Sequence, residues 1–134
     1  GGKGLHVVVP ITPKRDYTEV KAFSQGVVKH IARVIPSRFV SVMGGKNRVG
    51  RIFIDYLRNG HGQTTACAFS ARSRPGMGVS MPVGWEQLKE HKGGAQWTVA
   101  TAREYLSFQQ EDPWREFWKK RQSVDSAIKI LAET

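Results

Sequence analysis

The chain has 134 residues, 40% of them hydrophobic and 24% charged, a balance that excludes a disordered tail. Its net charge of +10 and pI near 10.2 point to a polyanionic partner, nucleic acid foremost, because Lys and Arg that meet phosphates release counterions. No stretch reaches membrane-spanning length and neither a basic amphipathic anchor nor a secretory h-region stands out, so the expectation is a cytoplasmic protein with no membrane partner.

Residues 5–11 read as a buried strand closed by Pro10 and Pro13. Only Gly1-Gly2-Lys3-Gly4 precedes it, and a core strand without lead-in sets the expectation that the natural protein continues upstream. Asp16 with Glu19 three residues on forms a capping-box start, and Val20, Phe23, Val27, Ile31 and Val34 recur as the stripe of an amphipathic helix that Pro36 ends. Residues 38–43 are a predicted strand, 44–50 a basic turn and 51–57 the next strand. Asn59-Gly60-His61-Gly62 has hairpin turn chemistry and sends the chain back through residues 63–69. The single cysteine, Cys67, lies in that returning strand and is expected to be a buried, inert thiol.

Residues 72–83, rich in Gly, Pro and Ser, read as a loop or irregular edge strand. Helices are predicted at 85–91 and 98–107, and Asp112-Pro113 is the N-cap and N1 pair of a last one. Trp114, Phe117, Trp118, Ile128 and Leu131 are assigned to packing or docking. The fold class is α+β, with a mostly antiparallel sheet packed against helices.

Asp55 is the only acidic residue between Glu19 and Glu86, and Lys46, Arg48, Arg51, Arg58, Arg72 and Arg74 surround it in sequence. Such a carboxylate either pairs with an arginine or holds a divalent metal whose phosphate ligands the cations help to load. Alternation within its strand puts Phe53 and Asp55 on one face. Arg58, Arg72 and Arg74 follow, and guanidinium forks suit bidentate phosphate contact. The turn with Lys46, Arg48 and Arg51 suits a nucleic-acid backbone. Lys3 and His6, beside flexible glycines, suit phosphate oxygens, although a strand-edge histidine also serves structural roles. No Asp-x-Asp pair occurs, and a two-metal site needs more oxygen ligands than Asp55 provides. The scattered His6, His30, His61 and His91 lack zinc-site spacing.

Three ordered motifs, Gly1-Gly2-Lys3-Gly4-Leu5-His6, Gly50-Arg51-Ile52-Phe53-Ile54-Asp55-Tyr56-Leu57-Arg58 and Ser70-Ala71-Arg72-Ser73-Arg74, closely resemble the polymerase domain of bacterial ligase D. That domain belongs to the archaeo-eukaryotic primase superfamily. The resemblance runs over essentially the whole chain, including Gly93-Gly94-Ala95-Gln96-Trp97-Thr98. It implies a primase-like fold, of which residues 1–134 are the C-terminal part, and a template-dependent nucleotidyltransferase adding nucleotides at DNA ends and gaps in non-homologous end joining. A non-catalytic nucleic-acid-binding module is the alternative.

By the same resemblance, Asp55 is the third metal-binding carboxylate, with Mn2+ or Mg2+ as cofactor. It also implies that His6, Arg58 and Arg72 hold the nucleotide and that Arg48 meets DNA; from the residues themselves, Lys3 is expected to join the first set and Lys46, Arg51 and Arg74 the second. The implied partners are DNA ends with a 5′-phosphate, an NTP or dNTP, a ligase domain in the parent chain and the Ku end-binding protein. The family's Asp-x-Asp pair, which precedes the Gly-Leu-His strand, is missing here. The chain alone is therefore expected to be inactive or weakly active.

Overall fold

The computed structural model describes residues 4–134. The chain divides into two compact units. One joins the chain up to Pro10 with Ala66–Arg121, and the other joins Ile11–Thr65 with Gln122–Thr134.

The second unit is organised by helix α1, Tyr17–Val34. Its start is the predicted capping box: the Glu19 N–H donates to Asp16 Oδ1 at 2.8 Å, and the Asp16 N–H donates to Glu19 Oε2 at 3.0 Å. Such a cap contributes about 1 kcal/mol by satisfying amides that the first turn leaves unpaired. The helix stops before Pro36, whose ring disfavours helical backbone at Ile35. The buried helical position is Val28 rather than a member of the expected stripe, and Val34 is 60% exposed. The stripe was extended too far: Val34 sits in the last turn, beyond the stretch that α1 buries.

Strands β1 (Phe39–Val40) and β2 (Ile52–Phe53) pair in parallel, with Phe39 opposite Ile52 and Val40 opposite Phe53. The Ile52 N–H donates to Arg38 O at 2.7 Å and the Ile54 N–H to Val40 O at 3.1 Å. The basic turn between them forms a 3-10 turn, Gly45–Arg48. Both strands are much shorter than their sequence pattern suggested, and the hairpin after Asn59 does not form. Asn59 instead closes a 3-10 turn, Leu57–Asn59, and its Nδ2 donates to Ser24 Oγ at 3.2 Å, drawing the turn onto α1. Helix α3, Asp125–Ala132, completes this unit and lies against α1, where a Cβ on Gly26 would touch Leu131 Cδ1 at 3.4 Å.

In the first unit, residues 5–11 do not form the expected strand, and Leu5, Val7, Val8 and Val9 are exposed. No neighbouring backbone is paired with them in a sheet among the described residues. Antiparallel pairing occurs instead farther along, through isolated bridges between Ala71 and Val79 and between Gly78 and Thr98. A 3-10 turn spans Trp85–Glu90 and helix α2 spans Ala102–Phe108, close to expectation. Asp112 opens no helix. Its Oδ1 accepts from the Trp114 N–H at 2.9 Å, which closes a local turn, and only a short 3-10 turn, Phe117–Lys119, follows. Cys67 is exposed, because its segment is not in a sheet. The mixed helix-and-sheet class stands. No helix among the described residues is long and apolar enough to cross a membrane.

Arg15 ties the two helices of the second unit together. It donates to Glu19 Oε1 at 3.1 Å and to Asp125 Oδ1, the first residue of α3, at 2.5 Å. The Arg15 hydrogen bond, aided by the Ser123 side chain, holds the Asp125 carboxyl below its ordinary range. A carboxyl depressed in the folded state stabilises the fold above its unfolded pKa of about 3.9 and loses that contribution as pH falls through the lower folded value. The thermal midpoint is expected to drop as pH is taken below about 4, and Arg15→Gln should flatten part of that slope. An identical acid profile in the variant would remove this pair from the contacts that hold α3.

Candidate functional site

The candidate residues fall into one set in each unit. In the second unit, β2 ends at Phe53, so Asp55 is carried by the turn beyond the strand and not by the strand itself. Its Oδ1 accepts from the Leu57 N–H at 2.8 Å, a side-chain bond that competes with further strand pairing. The turn is anchored from α1: Gln25 Nε2 donates to Tyr56 Oη at 2.7 Å, and Asn59 Nδ2 also donates to Tyr56 O at 3.1 Å. Asp55 is exposed and makes no ion pair among the described residues. The structural ion-pair alternative raised by the sequence is therefore not realised there.

Arg58 follows Asp55 on the same turn, exposed, with only a 3.5 Å contact from its Nη1 to Gln63 Oε1. Arg48 places its guanidinium carbon 4.7 Å from the centroid of the Phe53 ring, a cation–π arrangement that holds the basic turn over β2. Lys46 and Arg51 flank it and are exposed.

In the first unit, a cavity of about 190 Å³ is lined by His6, Arg72 and Arg74, together with Gly78, His91 and Gly94. The two arginines reach it because the chain reverses sharply there. The Arg74 N–H donates to Arg72 O at 2.8 Å, and the Met77 N–H donates to Arg74 O at 2.8 Å. Gly76 at φ +90° and Met77 at φ +47° take left-handed backbone, and the turn is locked by the Arg72 N–H donating to Gly78 O at 2.8 Å. A Cβ on Gly78 would collide with the Gly94 carbonyl oxygen, so glycine is required where these two backbones meet. Lys3 lies outside the described residues.

None of Lys46, Arg48, Arg51, Arg58, Arg72 and Arg74 forms an ion pair among the described residues. The pairs that exist involve Arg15, Arg115 and Lys119. This leaves the basic set uncompensated, as an anion-binding surface requires. No group of three or more His, Cys, Asp and Glu side chains could hold a metal ion among the described residues. Asp55 would give one ligand to such a site, and the residues present do not complete it. Nothing in the sequence marks Gly78 or His91 for this cavity; Gly93-Gly94, shortly after His91, is the one visible signal.

A sequence profile described as "LigD, primase-polymerase domain" matches residues 1–114. The multifunctional non-homologous end joining protein LigD of Pseudomonas aeruginosa is 42% identical over 130 residues, covering 96% of this chain and 16% of that protein. The bifunctional non-homologous end joining protein LigD of Bacillus subtilis is 26% identical over 123 residues, covering 91% of this chain and 20% of that protein. The chain thus spans a fifth or less of these relatives. Among solved structures, the polymerase domain of Mycobacterium tuberculosis ligase D in complex with DNA is similar, with a TM-score of 0.66 and 18% identity, over 76% of this chain and 35% of that one.

Gly78→Ala is expected to destabilise the first unit by about 1–3 kcal/mol through overpacking against Gly94, measured by urea denaturation. A midpoint equal to that of the unaltered chain would mean that the two backbones have room to separate.

Proposed function

Because the chain belongs to the LigD primase-polymerase domain family, we propose that it supplies the nucleotide-holding part of a template-dependent nucleotidyltransferase acting at DNA ends and gaps in non-homologous end joining. The observation that carries this reading is the uncompensated basic set. Arg72 and Arg74 line a cavity of about 190 Å³ in one unit, and Lys46, Arg48, Arg51 and Arg58 lie on the segments that flank Asp55 in the chain in the other. The similarity in fold to a polymerase domain bound to DNA agrees with a DNA substrate.

In the reaction, a primer 3′-hydroxyl attacks the α-phosphorus of an NTP or dNTP and pyrophosphate departs. Side chains do no covalent work in such a transfer. They bind charge and fix geometry. His6, Arg58 and Arg72 hold the triphosphate, the role the resemblance gives them, and Lys3 adds charge beside them. Holding the reacting groups in place removes an entropic cost that otherwise dominates a bimolecular step. Arg48, Lys46, Arg51 and Arg74 meet DNA phosphates. The stacking of Arg48 on Phe53 keeps its guanidinium extended at the surface instead of folded back onto a carboxylate.

Mn2+ or Mg2+ is the expected cofactor, with Asp55 as one carboxylate ligand and an Asp-x-Asp segment, which this sequence lacks, supplying the others. DNA ends with a 5′-phosphate, a ligase domain in the parent chain and the Ku end-binding protein are the partners of this reading. The absence of a complete donor set among the described residues favours one other reading, a non-catalytic nucleic-acid-binding module.

Asp55→Asn separates the two. In a chain extended by an Asp-x-Asp segment of the family, it is expected to abolish nucleotide addition while DNA affinity is kept or slightly raised. Full activity in the variant would remove Asp55 from the metal site. For the DNA surface, Arg48→Ala is expected to weaken binding and to lower the salt slope by roughly one counterion. An unchanged slope would take Arg48 off the phosphate backbone.

A further inference from the structure

Among the residues that line the cavity with His6, Arg72 and Arg74, His91 carries a buried nitrogen with no partner. Among the described residues, His91 Nδ1 is the only buried side-chain nitrogen or oxygen without a hydrogen-bond partner. A buried polar atom left unmatched carries a desolvation cost, so one that lines a cavity calls for a partner that enters it. The His91 ring is held by stacking and its backbone by the turn before it. It stacks on Trp97 with centroids 6.1 Å apart, and Trp97 in turn contacts Tyr105 at 4.9 Å. The Tyr105 hydroxyl accepts from Gln87 Nε2 at 3.1 Å. The His91 N–H donates to Leu88 O at 3.3 Å, and the Lys92 N–H donates to Gln96 Oε1 at 2.7 Å, which closes the loop that follows.

The residues that line the cavity with His91 decide what it can bind. Arg72 and Arg74 line the cavity, and no carboxylate does. Arginine offers donors only, so the charged groups that line the cavity with His91 favour an anionic ligand. From this geometry we infer that His91 is a further ligand-binding residue: its Nδ1–H donates to a phosphate oxygen of the bound nucleoside triphosphate, alongside Arg72. The inference rests on the reading of this cavity as the triphosphate site. It assigns to the segment after the Trp85–Glu90 turn a direct part in substrate binding and not merely in packing against Trp97.

Two substitutions separate the nitrogen from the ring. His91→Phe keeps an aromatic ring against Trp97 and deletes the donor. His91→Asn sets an amide nitrogen where Nδ1 lies. The measurement is calorimetric titration of the chain with ATP and, separately, with inorganic triphosphate, with Arg72→Ala as the reference. His91→Phe is expected to weaken both ligands by roughly tenfold or more, the scale of a lost hydrogen bond to a charged group, and His91→Asn to bind close to the unaltered chain. Binding lost in Arg72→Ala but undiminished in His91→Phe overturns the role of His91 alone. Equal loss in His91→Phe and His91→Asn overturns it too, since packing then explains the effect. No binding by the unaltered chain, or binding indifferent to Arg72→Ala, overturns the triphosphate reading of the cavity and the inference with it.

Discussion

Charge left without a partner is the constraint on which the rest of this structure depends. A net charge of +10 on 134 residues repels itself, and most chains relieve such repulsion with surface ion pairs. Here the pairs are spent at helix ends and in the aromatic segment, through Arg15, Arg115 and Lys119. Among the described residues, Lys46, Arg48, Arg51, Arg58, Arg72 and Arg74 form no ion pair. Local devices that use no acid hold them in place: an aromatic ring beneath Arg48, and a backbone turn locked onto Gly78 for Arg72 and Arg74. A polyanion would supply the missing countercharge, and its binding would stabilise the fold by mass action.

The packing that supports this arrangement is thin. Val28, Val40, Ala102 and Val124 are the buried hydrophobic residues among those described, and none of the side chains is sealed completely from solvent. With so little apolar burial, the polar details at element ends carry more of the specification. The capping box fixes where α1 begins, Arg15 fixes α3 against it, and Gln25 with Ser24 fix the turn that carries Asp55.

Features set by neighbouring residues were readable in the sequence, and features set by distant ones were not. Asp16 and Glu19 announce a helix start because both partners lie within one turn, and Pro36 ends the helix by its own sterics. The strand around Asp55 was overextended because alternation says nothing about a carboxylate capping an amide two residues on. The parallel pairing of β1 with β2 depends on how a basic turn folds, which composition does not reveal. Of the site, the motif arginines and His6 were legible through family resemblance, and His6, Arg72 and Arg74 do line one cavity. His91 was not legible, since its meaning comes from Trp97 and from a turn well upstream of it.

The central claim is that this chain holds nucleotide and DNA while Asp55 awaits carboxylates from an Asp-x-Asp segment. The most direct measurement is manganese-dependent ribonucleotide addition to a gapped DNA with a 5′-phosphate, comparing the chain alone with a version extended at its N-terminus to include that segment. Addition by the extended form only is the predicted result. Robust addition by the 134-residue chain alone, or none by either form while both bind DNA, would contradict it.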